Sequence, residues 1–272
     1  MHRQFRFGVG LNRVRSAADL ADTARRLEGY GFDVLHVPDH LGAPAPFPVL
    51  VAAAAATSTI RLGTYVLNAC FYKPALLARD IADTDLLSDG RLEVGLGAGY
   101  VRAEFEAAEL PFPAAGRRVD YLEHVTSYLA THQPGVPILI AGNGDRLLSV
   151  AARHAGIVGL TGARVRDAED PLAERVGFVR AAAGDRFDTL EFNLAITAVP
   201  TGPSGIPDLS LTRRFAPASS DEQLLASPAV LSGSVRDMAD ALRELRSRYG
   251  ISYFTVQQQH ARAFAEVIAA LR

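Results

Sequence analysis

Apolar residues in this chain fall into short blocks that switch between two periods. Phe5 to Leu11, Val34 to Val37, Arg61 to Leu67, Arg91 to Leu96, Ile138 to Ala141, Ile157 to Leu160, Glu191 to Val199 and Ser252 to Val256 read as buried strands. Between them lie stretches with apolar residues at helical spacing: Ala17 to Glu28, Val49 to Thr57, Ala75 to Leu87, Arg117 to His132, Asp145 to Ala155, Pro171 to Ala183, Val235 to Tyr249 and His260 to Leu271. Punctuation agrees with the pattern. Ser16 with Asp19 three residues on, and Ser234, stand where helices need side-chain caps. Pro74 stands at a helix start, where no backbone N–H is needed. Gly90 and Gly156 follow helix ends, where a left-handed residue closes the last turn.

Strands that alternate with helices imply a parallel sheet with the helices outside it. Eight such pairs predict an α/β fold, a closed (β/α)8 TIM barrel, with residues 1–272 forming one domain. An open doubly wound sheet is the competing arrangement. It would carry a glycine-rich dinucleotide loop after its first strand, but here Gly8-Val9-Gly10 lies inside that strand. The alternation lapses only at residues 200–228, a long loop after the seventh strand with a helical piece near Asp221 to Leu225.

Composition narrows the partners. The 272 residues are 49% hydrophobic and carry a net charge of −2, which gives no electrostatic case for nucleic acid or an anionic membrane. The longest apolar run, Val49 to Ala56, is too short to span a bilayer, and the N-terminal residues lack the apolar core of a signal peptide. Cys70 is the single cysteine, which fits a reducing compartment, and a cytoplasmic location is expected. His2, His124, His132, His154 and His260 show no metal-ligand spacing, so no metal site is expected.

In a barrel of this type the active site forms at the C-terminal ends of the strands. That rule gathers Pro38-Asp39-His40, Thr64 to Cys70, Gly97 to Tyr100, Gly142 to Gly144, and Thr161-Gly162 at one mouth. Gly142-Asn143-Gly144 either closes a tight turn or turns helix N-terminal amides toward an anion. Gly97-Ala98-Gly99 is either a turn or a flat surface for a planar ring. His40 is placed to move a proton near neutral pH, or else Asp39 and His40 merely shape their loop. Asp85 and Arg91 read as a structural ion pair beneath the barrel, Glu104 and Glu106 as a solvated helix face, and Cys70 as packing. No nucleophile elbow or phosphate-binding P-loop is present, which removes support for hydrolase and nucleotide-triphosphatase activity.

Arg61-Leu62-Gly63-Thr64, Ala78-Arg79-Asp80, Asp85 to Arg91 and Gly95 to Tyr100 resemble the luciferase-like monooxygenase superfamily, most closely its branch that uses the deazaflavin coenzyme F420. Val37-Pro38-Asp39-His40, Ile140 to Gly144, and Ser227-Pro228 with Leu231-Ser232-Gly233 extend the likeness over most of the chain. The resemblance implies a non-proline cis peptide at Tyr65-Val66 behind the cofactor ring. It implies cofactor contacts from Thr64, Tyr65, Val66, Asn68, Gly97, Ala98, Gly99, Ala141, Gly142, Asn143, Gly144, Thr161 and Gly162, with the phosphate held at Gly142 to Gly144. Asp39 and His40 match positions at the ring.

Two departures stand out. The sugar-phosphate dehydrogenases of that branch carry a tryptophan after the histidine and a glutamate after the second glycine loop. This chain has no tryptophan, and Tyr100 stands in place of the glutamate. Many relatives also carry a longer segment in the region that here runs from Tyr121 to Pro137. The expectation is hydride transfer between coenzyme F420 and a small organic substrate, as reduction of C=C or C=N or the reverse oxidation, with His40 or Tyr100 as acid. The alternatives are an FMN-dependent monooxygenase using oxygen, and a non-catalytic binding protein on the same barrel. A homodimer built on the early helices is also implied.

Overall fold

The computed structural model describes residues 3–163, 165 and 168–272; His2 lies outside that range. The strands are β1 (Arg6–Gly10), β2 (Val34–Val37), β3 (Arg61–Thr64), β4 (Leu67–Asn68), β5 (Leu92–Gly97), β6 (Ile138–Ala141), β7 (Ile157–Leu160), β8 (Glu191–Ala195) and β9 (Ile251–Gln257). All pairings are parallel, and a β3–β5 pairing closes the sheet. The result is an eight-staved barrel: β3 and β4 are one predicted strand, broken at a cis Tyr65–Val66 peptide.

The helices are α1 (Ala17–Gly29), α2 (Pro46–Ala54), α3 (Pro74–Leu87), α4 (Arg102–Ala107), α5 (Ala115–His132), α6 (Asp145–His154), α7 (Pro171–Ala183), α8 (Ser210–Phe215), α9 (Asp221–Leu225), α10 (Val235–Tyr249) and α11 (Ala261–Leu271). Ser16 and Ser234 cap α1 and α10 through the amides of Asp19 and Asp237. Two expectations shift. Helix α2 starts at Pro46 rather than Val49, because prolines in a first turn displace no helical hydrogen bond. The loop at 200–228 contains α8 as well as the expected helix at Asp221–Leu225. No described helix is long and apolar enough to cross a membrane.

Side chains alternate along each strand. Outward residues such as Phe7, Val9, Leu35, Leu62, Val94, Ile140, Leu194 and Phe254 meet Leu20, Ala24 and Leu27 of α1 and their counterparts on the other helices in one large core. The inward set is unlike what the apolar runs suggest. Val34, Leu139, Ile157 and Tyr253 form a small apolar cluster, and around it lie buried His36, Glu93, Glu191, Asn193 and Thr255. Inward glycines make the room: a Cβ on Gly8 or on Gly63 would lie within 2.8 Å of the His36 ring.

Asp85 and Arg91 do not pair with each other. Arg91 donates to the carbonyls of Ala54, Ile60 and Ser88, while Asp85 accepts from the Leu92 amide. Each instead satisfies backbone groups left over where helices end and β5 begins, the groups that most need partners at such junctions.

Candidate active site

The predicted residues converge on the C-terminal rim of the barrel. At the end of β2, Asp39 Oδ2 accepts from the Asn68 amide at 3.0 Å, which ties the β2 and β4 exits together. Asn68 Oδ1 in turn accepts from the Cys70 amide at 3.1 Å and lies against Gly99 so closely that a Cβ there would overlap it. Gly99 takes φ +71°, and its carbonyl accepts from Arg118 Nε at 2.9 Å. A Cβ on Gly97 would sit 2.8 Å from Val66 Cγ2. Asp39, Val66, Asn68, Gly97 and Gly99 therefore form one continuous wall, built of backbone and small side chains. Thr64 supports it from below, its hydroxyl engaged with both the carbonyl and the amide of Gly95.

The second wall is the β6–α6 loop. Gly142 donates to the Gly159 carbonyl, and a side chain there would strike Leu147. Gly144 is the N-cap of α6 with no side-chain cap, so the first amides of that helix lack an internal acceptor. Arg175 of α7, itself buried, donates to the Asn143 carbonyl at 2.9 Å and to Asp145 at 2.5 Å and also pairs with Glu174. Helix α7 thereby holds the loop in place. Thr161 is exposed, and Gly162, at φ +66°, packs against Pro228 and Ala229, which brings the end of the long loop to the rim.

His40 and Tyr100 part company. Tyr100 is 69% exposed. The Nδ1 of His40 lies 2.8 Å from Glu104 Oε1, whose side chain is only 16% exposed. Glu104 is therefore not on a solvated face, whereas Glu106, 64% exposed and facing Arg102, is. Asp39 has its pKa raised, chiefly by burial, with the Asn68 amide opposing.

Beneath the rim is a set of polar groups that the strand patterns did not reveal. Tyr65 donates to Asn193 Oδ1 at 2.7 Å, and Asn193 Nδ2 donates to Thr255 at 2.9 Å, so a hydrogen-bonded bar crosses from the break between β3 and β4 through β8 to β9. Lower down, Arg6 pairs with Glu93 at 2.6 Å and Glu191 at 2.5 Å. Burial alone would raise Glu93, but Arg6 and the Tyr253 hydroxyl outweigh it and hold the carboxyl below its ordinary range. An ionised carboxylate only accepts, so Tyr253 donates to Glu93 at 2.7 Å and takes a hydrogen bond from His36 Nε2 at 2.6 Å. His36 is fully buried and its pKa falls to about 4. The signal in the sequence was slight: charged or amide residues at inward positions of otherwise apolar strands, as in Glu93 between Leu92 and Val94.

Residues 3–201 match the sequence profile of the family described as luciferase-like monooxygenase. The chain is 30% identical over 238 residues, 74% of its length and 70% of the relative's, to the F420-dependent glucose-6-phosphate dehydrogenase of Nocardia farcinica. It spans less of other curated relatives: 63% of a 5,10-methylenetetrahydromethanopterin reductase of Archaeoglobus fulgidus, 27% identical over 69% of this chain, and 48% of an uncharacterized Sinorhizobium fredii protein, 28% identical over 55% of this chain. Among solved structures, the coenzyme F420 dependent tetrahydromethanopterin reductase of Methanopyrus kandleri superposes over 99% of this chain and 100% of its own, at TM-score 0.76 and 18% identity. A monooxygenase of Streptomyces bottropensis superposes over 97% and 99%, at TM-score 0.75 and 22% identity. At these identities the structural matches concern the barrel alone.

Proposed function

The chain belongs to the luciferase-like monooxygenase family, and from that premise we propose that it is an oxidoreductase that binds coenzyme F420 and moves a hydride between it and a small organic substrate. The observation that carries the reading is the pair of walls at one barrel mouth. One is bare enough for a flat ring, at Val66, Gly97 and Gly99, and the other leads through Gly142 to Gly144 into the uncapped first amides of α6, which suit a phosphate group. These residues fit the cofactor, with Asn143 and Asp145 on either side of Gly144 held by Arg175. The relative in Nocardia farcinica, named for F420 dependence, supports the choice of deazaflavin.

When bound, the deazaflavin supplies two-electron hydride chemistry, so the protein has only a proton to manage. In the oxidising direction the substrate gives a hydride from carbon and a proton from oxygen or nitrogen, and reduction returns both. His40 is the group proposed to hold that proton. It sits at the exit of β2 with a carboxylate behind it, whereas Tyr100 points to solvent. Sugar phosphate is not the proposed substrate, because the chain lacks the tryptophan and has Tyr100 where the dehydrogenases have glutamate. A cytoplasmic location and a homodimer complete the proposal, and Leu76, Leu86 and Leu87, exposed at the two ends of α3, support the dimer.

The test is to titrate the purified protein separately with coenzyme F420 and with FMN while following cofactor fluorescence. Turnover of the reduced forms is then followed with and without oxygen. Saturable binding of F420, with oxygen-independent turnover of its hydride, supports the proposal. Preference for FMN with oxygen consumption would assign the chain to the monooxygenases instead, and binding of neither would remove the enzymatic reading.

A further inference from the structure

His40 and Glu104 are sixty-four positions apart in sequence yet share a 2.8 Å contact at Nδ1. The fold arranges that contact through α4. Phe105, next to Glu104, is fully buried and packs edge-on against Phe71 at 5.2 Å and Phe112 at 5.0 Å. With Phe105 locked, the short helix has one rotational setting. Glu106 then faces solvent beside Arg102, and Glu104 faces back toward the end of β2. Among the described residues no arginine or lysine lies within ion-pair distance of Glu104, so its carboxylate is left to the imidazole.

The chemistry of the two groups fixes the direction of the bond. An ionised carboxylate oxygen only accepts, so His40 Nδ1 must carry the hydrogen. In a neutral imidazole a donor at one nitrogen leaves the other as a bare acceptor. The ring is 46% exposed, and Nε2 has no partner among the described residues. Neutral His40 therefore presents a lone pair at Nε2, the reverse of the tautomer that free histidine prefers.

We propose that Glu104 is a positioning residue that fixes His40 as the Nδ1–H tautomer and so holds its Nε2 ready to take a proton from the substrate. The inference rests on the reading of His40 as the proton-transfer group. It also gives a role to a residue that the sequence pattern placed on the surface. In the oxidising direction His40 Nε2 would take the proton from the substrate O–H or N–H as the carbon gives up its hydride, which bound deazaflavin would accept, and the charge gained by the imidazole would be met by the Glu104 carboxylate on its far side. In the reducing direction the same Nε2–H returns the proton. The substrate class follows: an alcohol or amine bearing hydrogen on the adjacent carbon, or the matching carbonyl or imine.

The tautomer is measurable without cofactor or substrate. Nitrogen-15 NMR of protein labelled at histidine nitrogens, recorded at a pH where His40 is neutral, should show a protonated Nδ1 and a bare Nε2 in the wild type. Glu104→Gln keeps an acceptor oxygen and should keep the tautomer, whereas Glu104→Ala should revert it to Nε2–H. With cofactor bound, Glu104→Ala should lower kcat by roughly tenfold or more, with KM changed about threefold at most, and Glu104→Gln should recover most of the loss. An Nε2–H signal in the wild type, or an Nδ1–H signal that survives in Glu104→Ala, overturns the assignment and leaves the functional proposal standing. Unchanged turnover in His40→Ala overturns the proton-transfer role proposed for His40, and with it the role given to Glu104, while F420 binding and hydride turnover still test the functional proposal.

Discussion

Replacing His36 by glutamine isolates the imidazole that the barrel interior keeps neutral. The ring is fully buried, donates from Nε2 to Tyr253, and leaves Nδ1 without a partner. Its pKa falls from its ordinary 6.5 to about 4 because burial opposes the charged form. The unfolded chain therefore binds a proton through this window and the folded chain does not. Stability owed to neutral His36 is complete above pH 6.5, drains as pH falls toward 4, and is level below that. Carried from pH 7 to pH 4.5, one such proton costs about 2.4 kcal/mol.

Carboxylates titrate near the lower end of the same range. Glu191 and Asp39, both raised by burial, act in the opposite sense, and Glu28, lowered to about 2 by backbone and side-chain donors at Ser58 to Ile60, acts in the same sense. These contributions cancel when two proteins sharing them are compared. Glutamine retains a donor for Tyr253 and does not titrate, so urea unfolding of wild type and His36→Gln from pH 7 to 4.5 should give curves that converge by about 2.4 kcal/mol as the pH falls. Parallel curves would refute the reasoning, as would a His36 NMR signal titrating near 6.5.

Four further outcomes follow from contacts in the barrel. Asn193→Leu and Tyr65→Phe should each destabilise by roughly 1–3 kcal/mol, and the double variant by less than the sum, because each single change strands the other's polar group; a double-mutant cycle by urea denaturation measures the coupling. Gly95→Ala should cost about 1–3 kcal/mol of stability, since its methyl overlaps the Thr64 carbonyl, a backbone atom that cannot rotate away. Gly97→Val should weaken F420 binding by roughly tenfold or more by filling the wall beside Val66, as read by cofactor fluorescence. Arg175→Met should release the Asn143 carbonyl and lower stability by about 1–3 kcal/mol, while reducing affinity for F420 more than for a deazaflavin lacking the phosphate.

Much of the barrel was written in hydrophobic periodicity, which depends on neighbours along the chain. Strands at Val34–Val37, Ile138–Ala141 and Ile157–Leu160 and helices at Pro171–Ala183 and Val235–Tyr249 lie where the pattern places them, because a run bounded by proline, glycine or a capping serine has few other ways to satisfy its backbone. The break at Tyr65–Val66 was legible only through resemblance, since nothing in the local pattern of Arg61 to Leu67 marks it. Helix α2 starts before the point its apolar pattern marks, because proline reads as a breaker until its position within a turn is known.

The sequence by itself determined which segments are strands and helices, that they alternate eightfold, and therefore which loops share the barrel mouth. Tertiary structure alone decided which side chains meet there and inside. Glu104 joined His40, Asn193 joined Tyr65, and Arg6, Glu93, Tyr253 and His36 formed one hydrogen-bonded chain across strands far apart in sequence. Periodicity records whether a residue is covered, and it is blind to the partner that covers it. A hydrogen bond between distant strands is set by barrel closure and by which inward positions are glycine, and those conditions exist only once the sheet has closed.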